Sequence, residues 1–440
     1  MRDLIDRLWK RYGALTVDDL PGPVRTVACQ CVLDWWGCAL AGSREPAARL
    51  VLDEVGTVAG PATVVGTERR LGVLQAALVN GTAGHALDFD DASTVMGGHA
   101  TVPVLPAVLA LAEERGAPGA ELLAAFVAGV EVETRLGVAI GPSHYAKGWH
   151  VTSTIGVLGA AAAASRLLGL DADDAAHALG LAASQSSGLK ANFGTMTKPF
   201  HAGHAAERGL LAARLAARGF TADTDALGDR QGLAHAAGDG TLRLERVGRH
   251  EDDWLILQTL FKYHAACYLT HAAIEASSEL RWRHDHRDVD EVIVTVHPAV
   301  LDVCAIPRPT TGLEAKFSLA ATTAFALVGI DTTDTATFDD HRVADPDVQR
   351  LVAATRVETD SSLMTTQARV RVATRDGDDE ASFDTGVPAT DLAVQGERLH
   401  AKFLHLTEPI VGSDASARLA AAIADLAAVE HVGSLHRKDG

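Results

Sequence analysis

Apolar residues at spacings of three and four dominate the first part of the chain. Val24, Val27, Ala28, Cys31, Val32, Trp35, Trp36, Ala39 and Leu40 fall on one helical face, and so apolar a face predicts burial in a core. Stretches 101–115, 119–139, 152–168, 173–187 and 202–218 are rich in Ala and Leu with Gly or Pro between them, which predicts a bundle of closely approaching helices. After about residue 270 the period changes. Val292, Val294 and Val296 alternate with Ile293 and Thr295, and Val370 and Val372 alternate with arginines before Asp376 and Gly377, so both runs read as strands ending in turn residues. Helical patterns at 313–328 and 346–355 lie between them, an acidic loop is expected at 376–384, and helical sequence resumes from 397 to 428. The expectation is a mainly α protein: a large all-helical domain from 1–268 and 395–440, and a smaller α+β domain at 269–394.

Composition narrows the function. The 440 residues carry 39 Lys+Arg against 57 Asp+Glu, a formal charge of −18, and no basic cluster offers itself to a polyanion, so nucleic acid is not an expected partner. With 47% hydrophobic and 22% charged residues the chain has the makeup of a packed globular protein. The N-terminal MRDLIDRLWKRYG interleaves charges with apolar residues, unlike a secretory leader. The longest apolar runs, near 102–112 and 155–164, are short for a bilayer, so a cytoplasmic protein with no membrane partner is expected. Cys29, Cys31, Cys38, Cys267 and Cys304 are odd in number and form no Cys-x-x-Cys pair, which reads as reduced thiols and not a zinc or disulfide framework.

Signatures of dinucleotide binding, a P-loop, a zincin helix and a nucleophile elbow are absent from the sequence. Four polar constellations carry the candidate chemistry. His85-Ala-Leu-Asp88-Phe-Asp90-Asp91, followed by His99, places three carboxylates within four residues, and their repulsion must be offset by a cation, a basic partner, helix amides or solvent. A magnesium–diphosphate site would need a second acidic cluster, which Asp339-Asp340 does not supply. Ser143-His144-Tyr145-Ala-Lys147-Gly148-Trp149-His150 leads into a helix, whose N-terminal potential favours a neutral His150 and whose amides suit a carboxylate. In Lys190-Ala-Asn192-Phe-Gly194-Thr195-Met-Thr197-Lys198-Pro199-Phe-His201 a loop lysine is pinned beside proline, a candidate acid, base or anion anchor. His201, His204 and Glu207 follow at metal-like spacing but lack a fourth ligand, so no metal site is assigned. Lys262-Tyr-His264-Ala-Ala-Cys267-Tyr268-Leu-Thr270-His271 lies where the two regions join.

In this order the segments HALDFDD with His99, GWHVTSTIG, LKANFGTMTKPFHAGHAAERG and FKYHAACYLTH, with EAKFS at 314–318, resemble the MmgE/PrpD family over nearly the whole chain. Its known activities include 2-methylcitrate dehydratase, cis-aconitate decarboxylase and iminodisuccinate epimerase. The resemblance implies an all-helical domain built from both chain ends, an α+β lid, a homodimer, an active site between the domains and no organic cofactor. It matches Asp88, His99, His150, Lys198 and Lys262 to the family's polar positions. Two departures stand out: His99 is followed by Ala-Thr where Pro-Ser is usual, and Ala320 and Ala321 stand where the decarboxylase carries a tyrosine.

Dehydration, decarboxylation and epimerisation of a small polycarboxylate each develop charge at a carbon beside a carboxylate or imine, so each needs an acid, a base and oxygen-holding cations. The expected roles are proton transfer for His150 and Lys198, a second acid or base at His99 oriented by Asp88, and an opposite-face acid at Tyr145. Lys262 is expected to anchor a substrate carboxylate, with Thr197 and His271 as further substrate contacts. A lyase is the first expectation. An epimerase or other isomerase is the alternative, and a non-catalytic helical scaffold the third reading.

Overall fold

The computed structural model describes residues 2–250, 252–375 and 377–436. It divides the chain into one unit of Met1–Phe261 with Thr390–Gly440 and a second of Lys262–Ala389.

Interior helices of the first unit are apolar on every side because each is surrounded. The helix Gly119–Ile140 buries nearly all its length, and the run Ala160–Ala164 is fully buried. The sequence 152–168, expected as one helix, is two, Val151–Thr154 and Gly156–Leu168, joined at Ile155. By length and composition Val151–Leu168 would cross a membrane, yet 94% of it is buried as core. The helix Thr197–Ala216 packs against Val73–His85 and Gly156–Leu168, and Leu392–Val411 packs along Gly22–Gly42. This unit is not helical throughout: β1 (Ala59–Thr63) and β2 (Arg70–Leu71) form an antiparallel ribbon, since Gly60 and Pro61 interrupt any helical period there.

One close approach sets the position of the site. Val73–His85 and Thr197–Ala216 cross at Gly81 and Gly203, where a Cβ on Gly81 would lie 2.7 Å from the Gly203 Cα. A Cβ on Gly203 would lie 2.2 Å from the Leu78 carbonyl oxygen. The absence of both side chains lets the helix ending at His85 lie beside the helix that begins around Lys198.

The second unit holds a four-stranded sheet in the order β4 (Thr355–Thr359), β3 (Val289–Val296), β5 (Gln367–Thr374), β6 (Gly377–Asp384). β3 and β4 are parallel and the other neighbours antiparallel, with Val294 opposite Val370 and Val370 opposite Ala381. The alternation buries Val292, Val294, Val296, Val370 and Val372 beneath a helical layer in which Tyr268–Arg281 packs on β5 and β6, Pro346–Ala354 on β3 and Leu319–Val328 on β4. The expected acidic loop is strand β6 instead; of that segment, Asp376 lies outside the described residues. β6 is an edge strand that buries only Ala381 and sets its acids against arginines of β5, Asp378 lying 3.0 Å from Arg371. Its pattern therefore lacks the apolar alternation of an inner strand. The cysteines are buried or half-buried thiols.

Gly203→Ala should lower unfolding stability by about 1–3 kcal/mol, because the added methyl meets rigid backbone. Urea unfolding checks this, and an unchanged midpoint would contradict the close-approach account.

Candidate active site

A buried carboxylate organises the first constellation. The helix Val73–His85 ends at His85, the chain turns through Asp88 in the left-handed region (φ 50°), and Asp90 returns beneath it. Asp90 Oδ1 accepts a hydrogen bond from His85 Nδ1 at 2.8 Å, and its Oδ2 lies 3.1 Å from His99 Nδ1. Burial pushes the Asp90 carboxyl up, but the imidazoles of His85 and His99 outweigh burial and hold it well below the usual carboxylate range. Burial lowers His85 to about 4, against the pull of Asp90, and His99 and Lys198 add to the lowering. At neutral pH an ionised Asp90 thus accepts from a neutral His85, which fixes that ring's tautomer. The rings of His85 and His99 meet edge to face, with centroids 4.5 Å apart. The backbone N–H of His99 donates to Thr152 Oγ1 at 3.1 Å, tying this loop to the segment that carries His150.

Asp88 takes a different place from the one expected. Its half-exposed side chain lies 3.8 Å from His99 Nε2, whereas its Oδ2 lies 2.7 Å from Lys198 Nζ. The nearer carboxylate on His99 is Asp90, so orientation of that ring belongs geometrically to Asp90 and a salt bridge to Asp88. Lys198 sits in the first turn of Thr197–Ala216, where the helix dipole disfavours a cation, and Asp88 offsets that. The lysine expected in a loop is therefore on a helix, and its ammonium lies 5.3 Å from the centre of the Phe193 ring.

His150 is buried beside this cluster. Burial pushes its imidazole far down, and the nearby His85, His99, Lys198 and His201 push the same way. The helix N-terminus invoked from sequence is a single turn, and the Ser153 and Thr154 amides donate to the His150 carbonyl at 2.9 and 3.0 Å. Those two amides are thus already occupied. His150 Nδ1 lies 3.2 Å from His201 Nδ1, so one ring donates and the other accepts. The Phe193 ring stands edge-on to His150 at 4.9 Å and so adjoins both His150 and Lys198. A neutral imidazole next to an ammonium can take a proton from a carbon acid whose carboxylate the ammonium holds.

The other expected residues are placed as follows. Tyr145 is half-exposed under Lys190, whose Nζ lies 3.4 Å from the ring centre, and burial raises its hydroxyl. Thr197 begins its helix, and its backbone N–H donates to Thr195 Oγ1 at 3.2 Å. Lys262, 4% exposed, opens the second unit. In that unit His271 is pushed well below its ordinary value, by burial first and then by His264, and its Nε2 donates to the Ala266 carbonyl at 3.1 Å. His264 bonds Thr332 Oγ1 at 2.7 Å, and Tyr268 donates to the Thr385 carbonyl at 2.6 Å. Asp90, His85 and Phe193 lie inside motifs singled out from sequence but had no assigned part. Their signal was position within HALDFDD and the Lys198 loop, which does not separate an inward carboxylate from an outward one.

His85, Asp88, Asp90 and His99 present donor atoms within 4.8 Å of one another, a set suited in composition to a divalent cation. Their charges already meet internal partners, Lys198 at Asp88 and the two imidazoles at Asp90.

Buried imidazoles, a sequestered carboxylate and an ammonium form one cluster of groups able to exchange protons and hold an anion. The chain matches the MmgE/PrpD N-terminal domain over residues 8–244 and the MmgE/PrpD C-terminal domain over 264–428, and it belongs to that family. Among its relatives is a cis-aconitate decarboxylase of Aspergillus terreus, 29% identical over 347 residues that cover 71% of this chain and 69% of the relative. A cis-aconitate decarboxylase-like protein of Aspergillus oryzae is 32% identical over 294 residues, covering 62% and 60%. The human cis-aconitate decarboxylase is 37% identical over 220 residues, covering 48% and 45%.

His85 has a folded value near 4 against an ordinary 6.5, so the unfolded chain takes up a proton first. Stability present above pH 6.5 is therefore lost as pH falls toward 4. Urea unfolding across that range should show this decline, and His85→Gln should flatten it; parallel declines in both proteins would contradict the assignment.

Proposed function

We propose that this protein is a cofactor-independent lyase that removes a proton beside a carboxylate of a small polycarboxylic acid, of the dehydratase or decarboxylase type. The observation that carries the reading is the buried His150 and the Lys198 ammonium meeting the same Phe193 ring, at 4.9 and 5.3 Å, with His150 stacked 5.9 Å from the Asp90-bound His85. The relatives named cis-aconitate decarboxylases support the substrate class.

In this reading Lys198 exchanges its Asp88 partner for a substrate carboxylate, and His150 is the base. For dehydration, His150 takes the proton from the carbon beside that carboxylate. The bond from the adjacent carbon to its hydroxyl oxygen breaks, and an acid gives its proton to the departing oxygen, releasing water. For decarboxylation no C–H proton is taken: the bond to a carboxylate carbon breaks, carbon dioxide leaves, the electron pair passes into the conjugated acid, and an acid protonates carbon. His99, whose Nδ1 lies 3.1 Å from Asp90 Oδ2, is the acid in either case. Ala320 and Ala321, both buried in Leu319–Val328, give no hydroxyl where the resemblance expects a tyrosine, which favours dehydration over cis-aconitate decarboxylation.

Proton NMR in deuterated water with methylcitrate, citrate, cis-aconitate and iminodisuccinate tests the proposal. We expect conversion or deuterium incorporation with at least one acid, and a loss of roughly 10²–10⁴-fold in Lys198→Ala and His150→Ala with unchanged circular dichroism. Near-normal turnover in both variants would remove the assignment. Exchange that inverts a centre without elimination would replace lyase by epimerase.

A further inference from the structure

The helix Leu392–Val411 delivers one buried cation to the loop that carries the two site carboxylates. Lys402 Nζ donates to Asp34 Oδ1 at 2.6 Å and to the Phe89 carbonyl oxygen at 2.6 Å, and it lies 3.9 Å from the centre of the Phe89 ring. Lys402 and Asp34 are each 2% exposed. Phe89 is the single residue between Asp88, which holds Lys198, and Asp90, which lies between His85 and His99. The peptide there enters from a left-handed Asp88, a conformation that costs a residue with a side chain some energy even though Asp tolerates it better than most. A buried ion pair is weak as a source of stability, since apolar residues of similar volume often replace one without loss. Stability alone therefore gives little reason to bury a lysine here, whereas placement of the Phe89 carbonyl does.

We propose that the Lys402–Asp34 pair is a positioning device for the active site: through the Phe89 carbonyl it fixes the peptide that aims Asp88 at Lys198 and Asp90 at the two imidazoles. The inference rests on the acid–base reading of that site. It makes Lys402 a positioning residue, acting through Phe89, and it assigns a part in the reaction to a chain end 313 residues away in sequence.

The test is the double variant Asp34→Asn/Lys402→Met, which removes both charges together and avoids stranding one. Turnover is measured on the acid that the wild type converts, and the downfield proton resonance of the His85–Asp90 hydrogen bond is recorded in parallel. We expect kcat to fall about tenfold or more with KM changed less than about threefold, since misplacement weakens the reacting geometry more than binding. The downfield resonance should move or broaden while circular dichroism stays native. Asp34→Asn alone, which keeps the lysine and weakens its anchorage, should show the same signs at about threefold or more. A folded double variant with wild-type kcat and resonance overturns the proposal, as does an unaltered Asp34→Asn if the double variant does not fold. A wild type that converts none of the acids, with a resonance that still responds to the variants, would sink the functional reading and leave the positioning role standing.

Discussion

The site depends on one buried carboxylate that stays ionised. Asp90 has no solvent to solvate its charge, so two imidazoles must do so, and that requirement dictates much around it. His85 donates its Nδ1–H and stays neutral, and His99 turns its Nδ1 toward the same carboxylate, which leaves its Nε2 on the side of Asp88. A carboxylate held in this way is a fixed electrostatic reference: it does not need to reorganise when a neighbouring imidazole gains or loses a proton, which is the property an acid–base site needs.

Backbone packing is what allows these groups to meet. The groups come from separate parts of the chain, and the Gly81–Gly203 crossing brings two of the helices that carry them to near contact. Thr152 then joins the His99 loop to the segment bearing His150, and Lys402 joins the carboxylate loop to the helix Leu392–Val411. The small residues and the polar links thus serve one geometry. Glycines set how near the helices come, and hydrogen bonds set how the connecting turns lie between them.

Much of this was legible in the chain because burial imposes a period. The face from Val24 to Leu40 is buried as its spacing predicts, and the alternating valines of β3 and β5 form the inner strands of the sheet. β6 was not legible, because an edge strand needs almost no apolar residue and its acids answer arginines on the neighbouring strand. The site shows the same division. Residue types and motifs pointed to Asp88, His99, His150 and Lys198, and the structure brings all four together. That Asp90, and not Asp88, lies against His99 Nδ1 was hidden, since the left-handed φ at Asp88 that turns the chain there is not revealed by spacing. Lys402 was hidden for another reason: on a helix that also carries polar residues a lysine reads as solvated, and Asp34 is 368 residues distant.

A crystal structure of the protein with tricarballylate, an unreactive tricarboxylate, tests the central claim most directly. A ligand carboxylate should sit at Lys198 Nζ in place of Asp88, with a ligand carbon facing His150 and with Asp90 still bound to His85. A ligand held elsewhere in the protein, with Lys198 still paired to Asp88, would contradict it.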